Sequence, residues 1–380
     1  ASFIGKHEYD HLLPDYSPEG VAETVAGMQD QLTQIRSFSD RDLTRRQRMD
    51  KKQIEGYLEI QLWEFSPDCR HFYRGNPSMY VGEAIFGLLV CLLTDYAPLA
   101  QRLDALQARM QAIPAFFAQA ERNLLDIQAA WARKAMNECD SAIAFLQKGL
   151  PRVTDHFEDA AQKAERAFAA FRDYLGGKLA GLTDERVGAG RDAFEMMMER
   201  AHFVKTDLAW YAQYAQSEVE RASQYLKAHC TDFGADTPAG ALAQLADFHP
   251  TAEGYLARFE QLWNALYDLA KKNDLVTWPD FPIVYRSQHD WAIECAPGLY
   301  FLNYRSPAAF NRPVIHEYLT PTPMPGLSGD KLEDFLRANN DSVIKSNHVV
   351  HHGGLGHHVQ NWNAYHQTNS LVGQFAACDG

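Results

Sequence analysis

The chain has 380 residues, 46% hydrophobic and 22% charged, with 36 Lys and Arg against 49 Asp and Glu, for a net charge of −13. That length and apolar content supply a large core without a disulfide scaffold. The acidic balance argues against nucleic acid or an anionic membrane as the main partner, because both need basic surface.

From about Ser17 to Leu269 the spacing of apolar residues is helical. Ser17 and Pro18 read as the N-cap and first position of one helix. A second helix starts near Asp40. The most apolar run, Val81 to Leu93, spans 13 residues and contains Glu83. It is too short to cross a bilayer and reads as a buried helix. Leu99, Leu103, Leu106, Met110 and Ile113 form one apolar face, which Pro114 is expected to break or kink. A further helix runs from Val153 to the Gly176–Gly177 pair. Helical patterns follow in "GAGRDAFEMMMERAHF" and "LAWYAQYAQSEVERASQYLKAHC". At helical spacing, Met196, Met197, Met198, Trp210, Tyr211 and Tyr214 read as core.

Near Asn273 the composition turns to proline, aromatics and β-branched residues, which read as loops with short strands, "GLYFLNY" (Gly298–Tyr304) foremost. Helix resumes at "SGDKLEDFLRANN", with Ser328 or Asp330 as cap. A last helix begins around a histidine cluster. The expected fold is mainly α, with a helical region over 1–270 and a metal-binding region with a small strand element over 271–380, joined as one continuous fold. The cysteines (Cys69, Cys91, Cys139, Cys230, Cys295, Cys378) are scattered and form no C-x-x-C pair. This disfavours a cysteine zinc site and fits a reducing compartment. The start, "ASFIGKHEYD", has no apolar signal-peptide core. Together these give a cytoplasmic expectation.

"SNHVVHHGGLGHHVQNW" (Ser346–Trp362) holds five of the chain's 15 histidines. Neutral imidazole is a common ligand for zinc and related metals. From His351, six residues lead to His357 and seven to His358. Seven residues are two helical turns, about 10 Å of rise, too far for one ion on a regular helix. A metal site therefore requires a bend at Gly353, Gly354 or Gly356. The other reading is a solvated histidine run that traps metal only adventitiously.

"VVHHGGLGHHVQ" resembles the signature of domain-of-unknown-function family 885, bacterial zinc-metallopeptidase-like proteins whose motif reads His-Glu-Gly-x-Pro-Gly-His-His-x-Gln. His351, Gly353, Gly356, His357, His358 and Gln360 match; His352 stands where the family has glutamate, and Leu355 where it has proline. "GLYFLN", "GAGRDAFEMMMERAHFVKTDLAWYAQYAQ" and "AIPAFFAQAERNL" resemble other segments of the family. The resemblance implies a zincin-like part with His351 and His357 as ligands of a divalent metal, zinc first, and His358 as the alternate ligand. It implies His352 as base or extra ligand, so glutamate-dependent peptidase action is not expected. Family members continue past this motif into a helix with a Glu-Gly-Trp-type motif that supplies a further carboxylate. The expectation is that Gly380 is a processing site or subunit boundary and that a second chain completes core and site.

Two further groups are candidates. His316, beside Glu317 before a proline-rich loop, offers a ligand or proton-transfer group, against a reading as part of a capped loop. Arg305, near Tyr300, Asn303 and Tyr304, offers a bidentate donor to an anionic substrate group, against a surface salt bridge. The expected function is metal-dependent hydrolysis of an amide, ester or related bond of a small molecule or peptide. The alternatives are a lyase or redox enzyme with iron or copper, and an inactive binding subunit.

Overall fold

The computed structural model describes residues 1–184, 188–205, 207–299, 308–311, 314–366 and 370–376, with 374–376 described by backbone alone. The chain is mainly helical. Helix α1 (Pro18–Ser37) starts as its sequence dictates, with Ser17 Oγ accepting from the Gly20 N–H at 3.1 Å and Pro18 at the first position. Helix α2 (Arg45–Glu64) begins in a reciprocal cap between Thr44 and Gln47. Helices α3 (Pro77–Leu93), α4 (Leu99–Asn123), α5 (Ala129–Ala144) and α6 (Glu158–Leu179) pack together around the larger hydrophobic cluster.

The apolar run of α3 is buried, as its composition requires. Among the described residues no helix is long and apolar enough to cross a membrane. Pro114 does not end α4, which continues to Asn123. Proline removes one N–H bond, to the Met110 carbonyl, but Ile113, Phe116 and Phe117 around it are buried and hold the helix together. Likewise α6 runs two residues beyond Gly177, to Leu179.

Helices α7 (Arg191–His202), α8 (Leu208–Ala228) and α9 (Pro238–Asp247) follow. Here the structure differs from the reading of the aromatic group as core: Trp210 is 53% and Tyr214 52% exposed, stacked on each other at 5.3 Å. The three methionines are half-buried. Amphipathic spacing marks a face suited to burial, but no residue of α8 is buried within the chain.

Helix α10 (Tyr255–Lys272) joins a second cluster with strands β1 (Ile283–Arg286) and β2 (His316–Leu319). The strands pair in parallel, with Ile283 opposite His316 and Tyr285 opposite Tyr318. The strand expected at Gly298–Tyr304 lies mostly outside the described residues, and Ala296–Gly298 is a tight helical turn. Helix α11 (Asp330–Ala338) is preceded by Gly329 at φ 57° and has no side-chain cap. Helix α12 (Asp341–Val343) is capped by Asn340 Oδ1, which accepts from the Ser342 and Val343 N–H groups. It passes directly into a π-helix over Ile344–Gly353, and helices α13 (His357–Tyr365) and α14 (Leu371–Ala376) complete the order.

Candidate metal centre

The π-helix is held from one side by α10. Ile344 and Val349 are fully buried in the cluster that contains Tyr255 and Phe259, with Trp263 and Leu266 packed against it. The Arg258 guanidinium grips the Asp341 carboxylate, with Nε at 2.9 and 3.0 Å from its two oxygens. Its wide turn, commonly found at functional sites, carries His348, His351 and His352. It ends in a bend that only glycine fits. A Cβ at Gly356 would overlap the carbonyl oxygen of His351, one at Gly354 would overlap Leu266, and one at Gly353 would sit 2.6 Å from the Tyr285 hydroxyl.

That bend brings the start of α13 back onto the π-helix. His351 Nε2 and His357 Nε2 lie 3.2 Å apart. Six residues of regular helix would separate them by about 9 Å of rise, so the glycine turn makes the pair. His357 Nδ1 is 2.6 Å from Gln360 Oε1. An amide oxygen only accepts, so this contact places the ring proton on Nδ1 and leaves a lone pair on Nε2, facing His351. His351 is exposed and His357 half-buried, so solvent reaches the pair.

His358 is oriented otherwise. It is buried, with Nε2 2.7 Å from the Phe281 carbonyl and its ring stacked on Phe281. Burial pushes its pKa down, against the smaller upward pull of that hydrogen bond. A neutral ring donating to a carbonyl anchors α13; Trp362 adds a second anchor, donating to Asp280 at 2.6 Å. Of the two histidines matched to a second ligand, the structure brings His357 to His351 and turns His358 to Phe281.

His352 stacks beside His351, ring centroids 4.5 Å apart. Its Nδ1 is 3.1 Å from the Tyr318 hydroxyl, which also lies 2.6 Å from His348 Nδ1. Tyr318 has one hydroxyl proton and can give it to one ring only. The other ring must donate its Nδ1–H to the phenolic oxygen, so the three groups have linked proton positions. Burial pushes both His348 and His352 down to about 4, and the neighbouring histidines add to the effect at His352. Tyr318 and His348 were not singled out from sequence. Their signal was only a tyrosine between Glu317 and Leu319 on a short segment and one more histidine of the run.

His316 is buried with its ring against His358 and Phe281. It also borders a cavity of about 690 Å³ lined by Phe86, Tyr96 and Trp291, to which His351, His352 and His357 do not belong. Arg305, with Tyr300, Asn303 and Tyr304, lies outside the described residues. Among the described residues no group of three or more His, Cys, Asp or Glu is placed to hold a metal ion. What converges is a pair.

The class this defines is a mainly helical protein with a paired-histidine turn on its last helices. The profile described as "Bacterial protein of unknown function (DUF885)" matches residues 1–377, and the chain belongs to that family. A solved structure titled as a "putative lipoprotein of unknown function" from Shewanella oneidensis is similar in fold. Its TM-score is 0.68 at 20% identity, covering 98% of this chain and 70% of that one. No curated protein matches the chain.

Proposed function

We propose that the protein is a metal-dependent enzyme in which His351 and His357 hold one divalent ion, zinc first, and that it hydrolyses an amide, ester or related bond of a small molecule or peptide. The observation that carries this reading is the 3.2 Å approach of the two Nε2 atoms. Two nitrogens on one tetrahedral zinc, each at about 2.0–2.1 Å, are about 3.3 Å apart, so the pair already has ligand spacing. Gln360 supports it by fixing the His357 tautomer that a metal requires, a common role for a neighbour of a ligating histidine.

The donor set present fits two ligand positions. The remaining positions would fall to water and substrate. Bound zinc supplies polarisation of the scissile group and a water acidic enough to attack it near neutral pH. His352, kept neutral by burial, offers a proton acceptor or an extra ligand beside the pair, oriented through Tyr318. His358 ties α13 to the Phe281 carbonyl, and His316 packs against the His358 ring. The neighbour's description as a lipoprotein supports an exported location over the cytoplasmic one.

Elemental analysis of the purified protein tests the reading. About one zinc per chain is expected, falling to background in His357→Ala. Iron or copper in its place moves the assignment to the redox or lyase reading. A chain that binds no metal, even when titrated with zinc, has only an imidazole–imidazole hydrogen bond at this turn, and the proposal is then wrong in favour of a binding subunit.

A further inference from the structure

Helix α11 has nine residues and starts after Gly329 without a side-chain cap. A helix that short is marginal by itself in water and depends on what it packs against. Leu332, Phe335 and Leu336 take one of its faces into the smaller hydrophobic cluster. Glu333 and Arg337, one turn apart, form another. Arg337 pairs with Asp247 at the end of α9, and Glu333 meets His249 in the turn between α9 and α10.

The His249 ring is held at both nitrogens. Nδ1 lies 3.0 Å from the Pro250 carbonyl oxygen, and Nε2 lies 3.1 Å from Glu333 Oε1. Both partners can only accept, so both nitrogens must donate. A neutral imidazole has one N–H and cannot make the two bonds; an imidazolium has two. The contacts therefore define a charged ring. Its surroundings agree: the Pro250 bond raises the His249 pKa above the ordinary 6.5, burial opposes this, and Glu333 and Asp341 add to the rise. The charged groups of this corner are Glu333 on α11, Asp341 on α12 with Arg258 of α10 upon it, and the Asp247–Arg337 pair. The preceding residue, Phe248, accepts from the Asp341 N–H at 2.8 Å, so the corner also holds the start of α12, which leads into the π-helix.

We propose that His249 is a pH-sensitive latch: its charged ring fastens α11 to the turn between α9 and α10, and loss of the proton releases Glu333. The Pro250 bond reaches only the next residue in the chain, whereas the Glu333 side chain is 53% exposed and can turn to water. With the folded pKa raised, the latch is fully closed below 6.5 and opens as pH rises through the folded value.

Histidine NMR on the full-length chain, with the His249 signal assigned by its loss in His249→Ala, is expected to show His249 titrating above 6.5. Glu333→Gln should lower that value. Hydrogen exchange reads the helix itself. Protection factors, which correct for the intrinsic effect of pH, should fall about twofold to fivefold in α11 as His249 loses its proton, the size of a part-exposed ion pair. Both Glu333→Gln and His249→Ala should abolish that fall. A His249 that titrates at or below 6.5 overturns the proposal. So does a fall that persists in either variant, or protection of α11 that stays level through the titration.

Discussion

At the scale of single residues, the burial of His348 ties the candidate site to solution pH. His348, 5% exposed and bound to the Tyr318 hydroxyl, has its pKa lowered by burial from 6.5 to about 4. Between those values the unfolded chain binds a proton that the folded chain refuses, so stability rises with pH across that window. The contribution is complete above 6.5 and is lost progressively as pH falls toward 4. One pKa unit corresponds to about 1.4 kcal/mol, so this histidine should weaken the fold by about 2 kcal/mol between pH 7 and pH 5. Urea titrations at the two pH values, on the native chain and on His348→Gln, check this: the variant should lose that much of the pH dependence. Equal slopes would place the effect elsewhere. His351, His357 and Gln360 were legible in the sequence because one short motif carries all three. Tyr318 was not, since it reaches His348 and His352 across 30 and 34 residues, a distance at which local pattern says nothing.

At the scale of elements, the glycine-rich turn decides the geometry. Gly356→Ala puts a methyl group into the His351 carbonyl, so either the turn opens or the π-helix shifts. A close backbone contact of this kind cannot relax as a flexible side chain would. The variant should lose about 1–3 kcal/mol of stability, in the range of overpacking, and bind zinc at least tenfold more weakly, read by competition with a chromophoric chelator. Native affinity in Gly356→Ala would show that the bend does not hold the pair. The need for this bend could be read from the sequence, because seven helical residues cannot close on one ion. The π-form before it could not. Its wide turn is fixed by Ile344 and Val349 locking onto α10, and that partner lies some 80 residues earlier. Helix α4 teaches the same lesson: Pro114 reads as a stop, yet burial of its neighbours carries the helix through.

At the scale of the whole molecule, two hydrophobic clusters divide the labour. The larger is built by α3–α6, and the smaller lies under the histidine turn. Phe259 is fully buried in the smaller, its ring 5.5 Å from Tyr285 and 5.6 Å from His348. Phe259→Ala should cost about 3–5 kcal/mol, the usual penalty for a cavity of that size, and lower zinc binding with it. Phe171→Ala, in the larger cluster, should cost as much while sparing the metal site wherever the chain stays folded. Calorimetry with parallel metal analysis separates the two. The helical character of the first 270 residues was legible from periodicity; the partnership of α10 with the strands was not, because apolar faces do not name their partners. One feature of the smaller cluster also sets an order in time. Strands β1 and β2 run in parallel, so they cannot zip together as a hairpin, and the chain between residues 287 and 315 must first loop back. Closing that loop spends entropy before any contact repays it, and such non-local pairing slows folding. The histidine turn rests on the finished platform, so in a refolding experiment its contacts are among the last to form.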